Sequence, residues 1–303
     1  MAATAALADP PSPPAPPATN TAVSAAEFAT DANRYGPFSL FDHRSLYGKG
    51  VFPEPMIVDD SDGEINEFRL DWMHQGGKGQ NTNIVTVEIE HGNGFWTLEL
   101  EVPYEYDTAN VFDPATGHID HSRVQGFDNI NPGARMPVFQ YVSADEAIDS
   151  TFGVAIEVGI PSNSPLGKNS EIVPKIFNDT RIGEHFTLQT ILGWSFLRGS
   201  VASGGGEQHF EYGMVFGWDI PHHELPLPQV QDLIPMLELQ GDTLANTHQA
   251  GQDSLTGNLA VRANLFSIGQ IQPRLGVGYL FPVDQGARDQ FHWGIYTSLV
   301  FEF

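Results

Sequence analysis

From residue 64 to the carboxy terminus the chain alternates apolar and polar positions, the period-two signature of β-strands. Residues 84–90 read Ile-Val-Thr-Val-Glu-Ile-Glu, with Val85, Val87 and Ile89 on one face and Thr86, Glu88 and Glu90 on the other. His91-Gly92-Asn93-Gly94 supplies a tight turn. The next strand places Trp96, Leu98, Leu100 and Val102 opposite Thr97, Glu99 and Glu101. The same code recurs at 186–196, 210–220, 255–265 and 291–303. It predicts twelve strands, near 64–74, 82–91, 94–105, 126–142, 150–160, 171–178, 184–197, 208–220, 232–240, 254–266, 271–281 and 290–303. Such segments exceed the soluble norm of about five or six residues. Their apolar face is rich in Trp, Phe and Leu, while the other holds Glu, Arg, Thr, Asn, Gln and Gly, poor material for a dry core. A soluble sandwich with one wet face per sheet shares the alternation. Strand length and face chemistry favour an all-β fold, a transmembrane antiparallel up-and-down β-barrel of about 12 strands.

The connections give a second test. With an even strand count both barrel ends lie on one side of the membrane, so long loops should join odd to even strands. The long connections expected at 106–125, 161–170, 198–207 and 241–253 obey this, as do the short ones at 91–94, 179–183 and 267–270. The exception is 221–231, a long turn on the short side, which points to an unusual turn or a miscounted strand.

The part before the strands divides in two. Residues 1–8, ending Ala6-Leu7-Ala8, have the small-x-small form of a signal-peptidase site and read as the remnant of a signal peptide. Residues 9–62 read as a Pro-rich tether and an irregular periplasmic segment, able to fold back as a plug. Residues 63–303 form the barrel.

Composition narrows the partners. The chain has 303 residues, 38 acidic against 14 basic side chains, and a formal charge of −24. That excess argues against nucleic acid, because phosphate binding needs basic patches. Zero cysteine excludes disulfides and cysteine-ligated metal centres. No run of eighteen apolar residues exists, which argues against a transmembrane helix and leaves a barrel untouched.

The chain ends Thr297-Ser298-Leu299-Val300-Phe301-Glu302-Phe303. Leu299, Phe301 and Phe303 resemble the terminal strand signal of bacterial outer-membrane barrels, which implies recognition by the barrel assembly machinery. A longer resemblance runs through Gly126-Phe127-Asp128-Asn129-Ile130, Phe152-Gly153-Val154-Ala155-Ile156-Glu157, Phe186-Thr187-Leu188-Gln189, Leu237-Glu238-Leu239-Gln240-Gly241 and Leu275-Gly276-Val277-Gly278-Tyr279. In this pattern the chain is similar to the transporter-like outer-membrane family named for the MetA pathway of phenol degradation. The resemblance implies an outer-membrane barrel that passes small solutes, hydrophobic or aromatic ones among them. Residues 38–62 depart from that family's Asp-Arg-Pro lead-in.

Alternation assigns the inner wall. Arg69, Asp71, Glu88, Glu90, Glu99, Glu101, Arg135, Glu157, Lys175, Glu211, Glu238, Arg262 and Arg274 point into the lumen. Opposite charges paired across strands would fill a narrow lumen; a charged lining would also select solutes. The acidic excess predicts a mild cation preference. His43-Arg44-Ser45, His118-Ile119-Asp120-His121, Ser122 and His222-His223-Glu224 are the candidates for chemistry, and all fall in expected loops or before the barrel. They read as polar surface, so no catalytic, cofactor or metal site is assigned. The expectation is passive passage of a small-molecule solute across outer-membrane lipid, without a cofactor. A closed structural or loop-binding barrel and an outer-membrane hydrolase are the alternatives.

Overall fold

The computed structural model describes residues 54–58, 66–77, 79–92, 96–113, 118–145, 147–199, 206–247 and 250–303. The expected signal-peptide remnant at 1–8 and most of the 9–62 segment, including His43, Arg44 and Ser45, lie outside the described residues.

The chain forms a closed antiparallel barrel. Its strands are β1 (Glu67–Gly77), β2 (Gln80–Gly92), β3 (Thr97–Asp113), β4 (His118–Phe127), β5 (Asn131–Val142), β6 (Ile148–Gly159), β7 (Ser170–Ile182), β8 (Phe186–Arg198), β9 (Gln208–Trp218), β10 (Ile220–Pro221), β11 (Val230–Leu244), β12 (Asp253–Leu265), β13 (Gln272–Pro282) and β14 (Trp293–Glu302). Two barrel strands are each interrupted once. β4 and β5 share β3 as partner and break at Asp128-Asn129-Ile130. β9 and β10 share β11 and break at Asp219. The ring therefore has twelve staves, each beside its sequence neighbours. β14 closes it on β1, with Glu67 opposite Glu302 and Gly76 opposite Trp293.

The wall inverts the burial of a soluble protein. On β1, Phe68, Leu70 and Trp72 are 36–39% exposed, while Arg69 and Asp71 are 5% exposed. Eleven residues at about 3.3 Å each, tilted by about 40°, project roughly 28 Å along the axis, close to the ~25 Å apolar band of such barrels. Outward aromatic rings gather near both rims: Trp194, Tyr279 and Trp293 towards one, Phe139, Tyr141, Trp218 and Phe266 towards the other. Amphipathic rings favour the membrane–water interface.

Two expectations need correction. The stretch 106–125 is not a loop: Tyr104–Asp113 of β3 pairs residue by residue with His118–Phe127 of β4. Thr108 and Asn110 replace apolar residues on the outward face there, so the strand signal fades while the hairpin continues. β1 and β2 also run on to Gly77 and Gln80, leaving a two-residue turn. The long connection on the short-loop side is real, because β10 and β11 flank residues 222–229 and the strand count around it holds. A short helix, α1 (Gln285–Gln290), lies between β13 and β14, its first turn capped by the Asp284 carboxylate accepting from Ala287 N at 2.8 Å.

Candidate functional site

The inner wall holds a piece of the chain's own backbone. Residues Glu54–Val58 lie inside the barrel, with Glu54, Met56 and Val58 all at most 3% exposed. Arg69 on β1 donates from Nη2 to the carbonyls of Pro55 and Met56, each at 3.1 Å, and from Nη1 to the Glu54 carboxylate at 3.0 Å. Arg262 on β12 donates to the Pro55 carbonyl at 3.1 Å. Arg274 on β13 stands 3.6 Å from the Glu54 carboxylate and also pairs with Glu302. On the neighbouring strand β11, Glu238 accepts the backbone N–H groups of Met56 at 2.9 Å and Ile57 at 2.7 Å. Extended backbone without sheet partners exposes both donors and acceptors, and here the wall meets each kind with the complementary charge. Six charge-assisted bonds hold these five residues, and at about 1.5–3 kcal/mol each they offset an ordering cost of about 1–2 kcal/mol per residue.

An apolar patch completes the seat. Met56 and Val58 pack with Phe177, Ile191, Val215, Ile234, Met236 and Ala260, all inside the barrel. Two glycines make room. A Cβ on Gly213 would fall 2.5 Å from Val58 Cγ1, and one on Gly276 would fall 2.9 Å from Met56 Cε. Leu280, Ala287 of α1 and Phe291 form a second buried cluster, against which Ile57, Met73 and Tyr296 pack.

Above this segment, towards the rim carrying the 160–169, 199–207 and 245–252 connections, the lumen opens into a cavity of about 660 Å³. Met56, Ile57 and Val58 form part of its wall. Asp71, Glu88, Glu99, Glu101, Asp128, Glu157, Glu211 and Asp242 line it, against Arg69 and Lys175. The pairing is local: Lys175 binds Glu157, and Arg135 binds both Glu90 and Glu99, the latter at 2.7 Å. The Asp71 carboxylate takes Arg69 Nε at 2.6 Å and the Tyr296 hydroxyl at 2.5 Å.

The structure places all thirteen charged residues assigned by alternation on the inner wall and splits them into two groups. Arg69, Glu238, Arg262 and Arg274 hold the docked segment, and Arg69 also reaches the cavity. Glu88, Glu99, Glu101, Glu157, Lys175 and Glu211 line the cavity, Asp71 beside them, with Glu90 and Arg135 buried just beyond. Sequence reasoning missed Glu54 and Met56 as occupants. It also gave no role to Phe177, Ile191 and Val215, apolar residues at inward positions and the signal that part of the lumen is filled by protein. Leu299, Phe301 and Phe303 end the chain, Leu299 and Phe301 opposite Leu70 and Phe68 of β1. The loop candidates scatter. His121 Nδ1 meets Asn110 Oδ1 at 2.6 Å, and Ser122 donates to the Ala109 carbonyl. His222 donates from Nδ1 to the Val230 carbonyl at 2.8 Å.

No family model matches the chain, and no curated protein sequence does. Solved structures do. The crystal structure of an outer membrane channel from Pseudomonas putida F1 aligns over 83% of this chain and all of its own, with a TM-score of 0.51 and 12% identity. The β domain of the Bordetella autotransporter BrkA aligns over 80% of this chain and all of its own, at a TM-score of 0.44 and 10% identity. The NanC porin aligns over 78% of this chain and 98% of its own, at 0.42 and 9%. At these identities the likeness to the Pseudomonas channel is one of fold, and the fold this chain shares is that of a bacterial outer-membrane barrel.

Proposed function

We propose that this protein resides in the bacterial outer membrane and passes small solutes passively, cations in preference, with Glu54–Val58 setting the width of the path. The observation that carries this reading is the acid-rich cavity of about 660 Å³, bounded on one side by a docked segment rather than by the barrel wall alone. A lining of eight carboxylates against two cationic groups lowers the energy of a cation in a confined space. The fold likeness to an outer membrane channel supports it. Hydrophobic or aromatic solutes enter the proposal only through the resemblance to the family named for phenol degradation. The outward apolar wall is the surface offered to lipid, and the strand ending Leu299, Phe301, Phe303 the one offered to the assembly machinery. No enzymatic step is part of the proposal.

The absence of native cysteine makes a clean test. A Cβ added at Gly213 falls so near Val58 Cγ1 that it lies within about 4 Å of the Val58 Cβ, inside disulfide range. In planar bilayers, the Val58→Cys/Gly213→Cys variant should conduct least when oxidised and recover on reduction. Silence in both states, and silence again once residues 54–58 are deleted, would defeat the channel reading in favour of a closed structural barrel.

A further inference from the structure

At the rim where β1 begins and β14 ends, two turns bring together side chains that the solute path does not use. We propose that His185, Glu184, Glu224 and His223 form a binding site for a borderline divalent transition cation such as Zn²⁺. Glu184 and His185 belong to the turn between β7 and β8, and His223 and Glu224 to the connection between β10 and β11. Ligand atoms of Glu184, His185 and Glu224 all lie within 4.8 Å of one another. His185 Nε2 is 3.3 Å from Glu224 Oε1, and His223 Nε2 is 3.6 Å from Glu184 Oε1 and 3.9 Å from Glu224 Oε1. A tetrahedral ion with bonds of about 2.0–2.1 Å separates its ligand atoms by about 3.3 Å. The His185–Glu224 spacing of 3.3 Å matches that edge length, and the 3.6 and 3.9 Å spacings of His223 leave it a short inward movement to make. His223 has 68% of its side chain exposed and is free to swing inwards.

His185 is already set for the task. Its Nδ1 lies 2.7 Å from the backbone carbonyl of Asp219, an oxygen that can only accept. Nδ1 therefore carries the proton in the neutral ring, and the Nε2 lone pair faces the two carboxylates. The ring also stacks on Trp218, with centroids 5.0 Å apart and planes 18° apart. A metal-ligating histidine fixed through its other nitrogen is the usual outer-shell arrangement. Arg181 donates to the Glu184 carbonyl at 3.3 Å and pairs with Asp219 at 3.5 Å. Two imidazoles with two carboxylates favour zinc-like ions over calcium or magnesium, which take oxygen ligands. Among the described residues a second such group, Glu88, Glu90 and Glu99, differs in kind, because the Arg135 guanidinium already bridges Glu90 and Glu99. A cation bound at the turns would staple two connections that are otherwise joined through neighbouring staves.

The test uses the full chain, folded in detergent without an affinity tag, titrated with Co²⁺ and then with Zn²⁺. One Co²⁺ per chain should bind with the intense visible absorption of four-coordinate cobalt, and Zn²⁺ should abolish that absorption. His185→Gln and Glu224→Gln should each weaken Co²⁺ binding at least about tenfold. Zn²⁺ should raise the unfolding temperature of the parent chain but not of His185→Gln. His121→Gln, at a distant histidine, should leave the spectrum intact. Heat-modifiable gel migration reports that each variant is folded. The proposal is overturned if the folded parent shows no four-coordinate spectrum, or if His185→Gln and Glu224→Gln keep it.

Discussion

The two parts of the lumen are built from the same alternating strands, yet they do opposite things with charge. Around Glu54–Val58 the inward charges of β1, β11 and β12 meet backbone, arginines on carbonyls and Glu238 on N–H groups, while Arg274 of β13 pairs with the Glu54 and Glu302 carboxylates. That region is filled by protein, and Glu238, Arg262 and Arg274 are fully buried. Around the cavity the carboxylates of β2, β3, β6 and β9 outnumber their cations and face open space. An inward charge on a barrel strand does not by itself line a path. What decides is whether another part of the chain occupies the space in front of it.

Emptying the filled region should have the largest effect. Deleting residues 54–58 is expected to raise single-channel conductance several-fold, with the barrel still heat-modifiable on a gel. Unchanged conductance would mean that the segment does not limit the path. A smaller effect is expected from Glu238→Leu. It removes two charge-assisted bonds worth about 1.5–3 kcal/mol each, so the segment should leave its seat intermittently. Current traces should then flicker between the parent level and that of the deletion. The smallest effect belongs to the cavity. Glu101→Gln with Glu211→Gln neutralises two of its carboxylates, and the reversal potential in a salt gradient should move towards anions with little change in conductance. A shift in the opposite direction would show that these carboxylates do not set the preference.

The barrel was legible because its strands obey one rule, apolar out and polar in, over most of their length. Even the long turn at 222–229 left the strand count intact. The rule failed where its cause was missing. In the β3–β4 hairpin Thr108 and Asn110 break the outward apolar face, so the chain beyond residue 105 read as loop. The helix α1 is too short to show periodicity, and Asp284 is its one local signal. Inward direction was legible for Arg135, but its partners on β2 and β3 depend on how far neighbouring strands are staggered, which alternation does not encode. The docked segment left its trace on the wall rather than in its own residues. Phe177, Ile191, Val215, Ile234 and Met236 are apolar at inward positions, where a water-filled path has no use for them. Likewise His185 and Glu224 come from different turns, and no spacing in the sequence brings them together.

The docked segment also constrains the order in which the protein assembles. Its contacts with Glu238 and Arg262 join residues 182 and 207 positions apart. Its seat is therefore made late in synthesis, long after the segment itself has emerged. The ring cannot shut until β14 meets β1, the strand that follows the segment and grips it through Arg69. Contacts of such long range form slowly, since the entropy of closing the intervening chain comes before any reward. The strand that carries the occupant is thus one lip of the final seam, and the barrel closes around contents that its own first strand has brought to the opening.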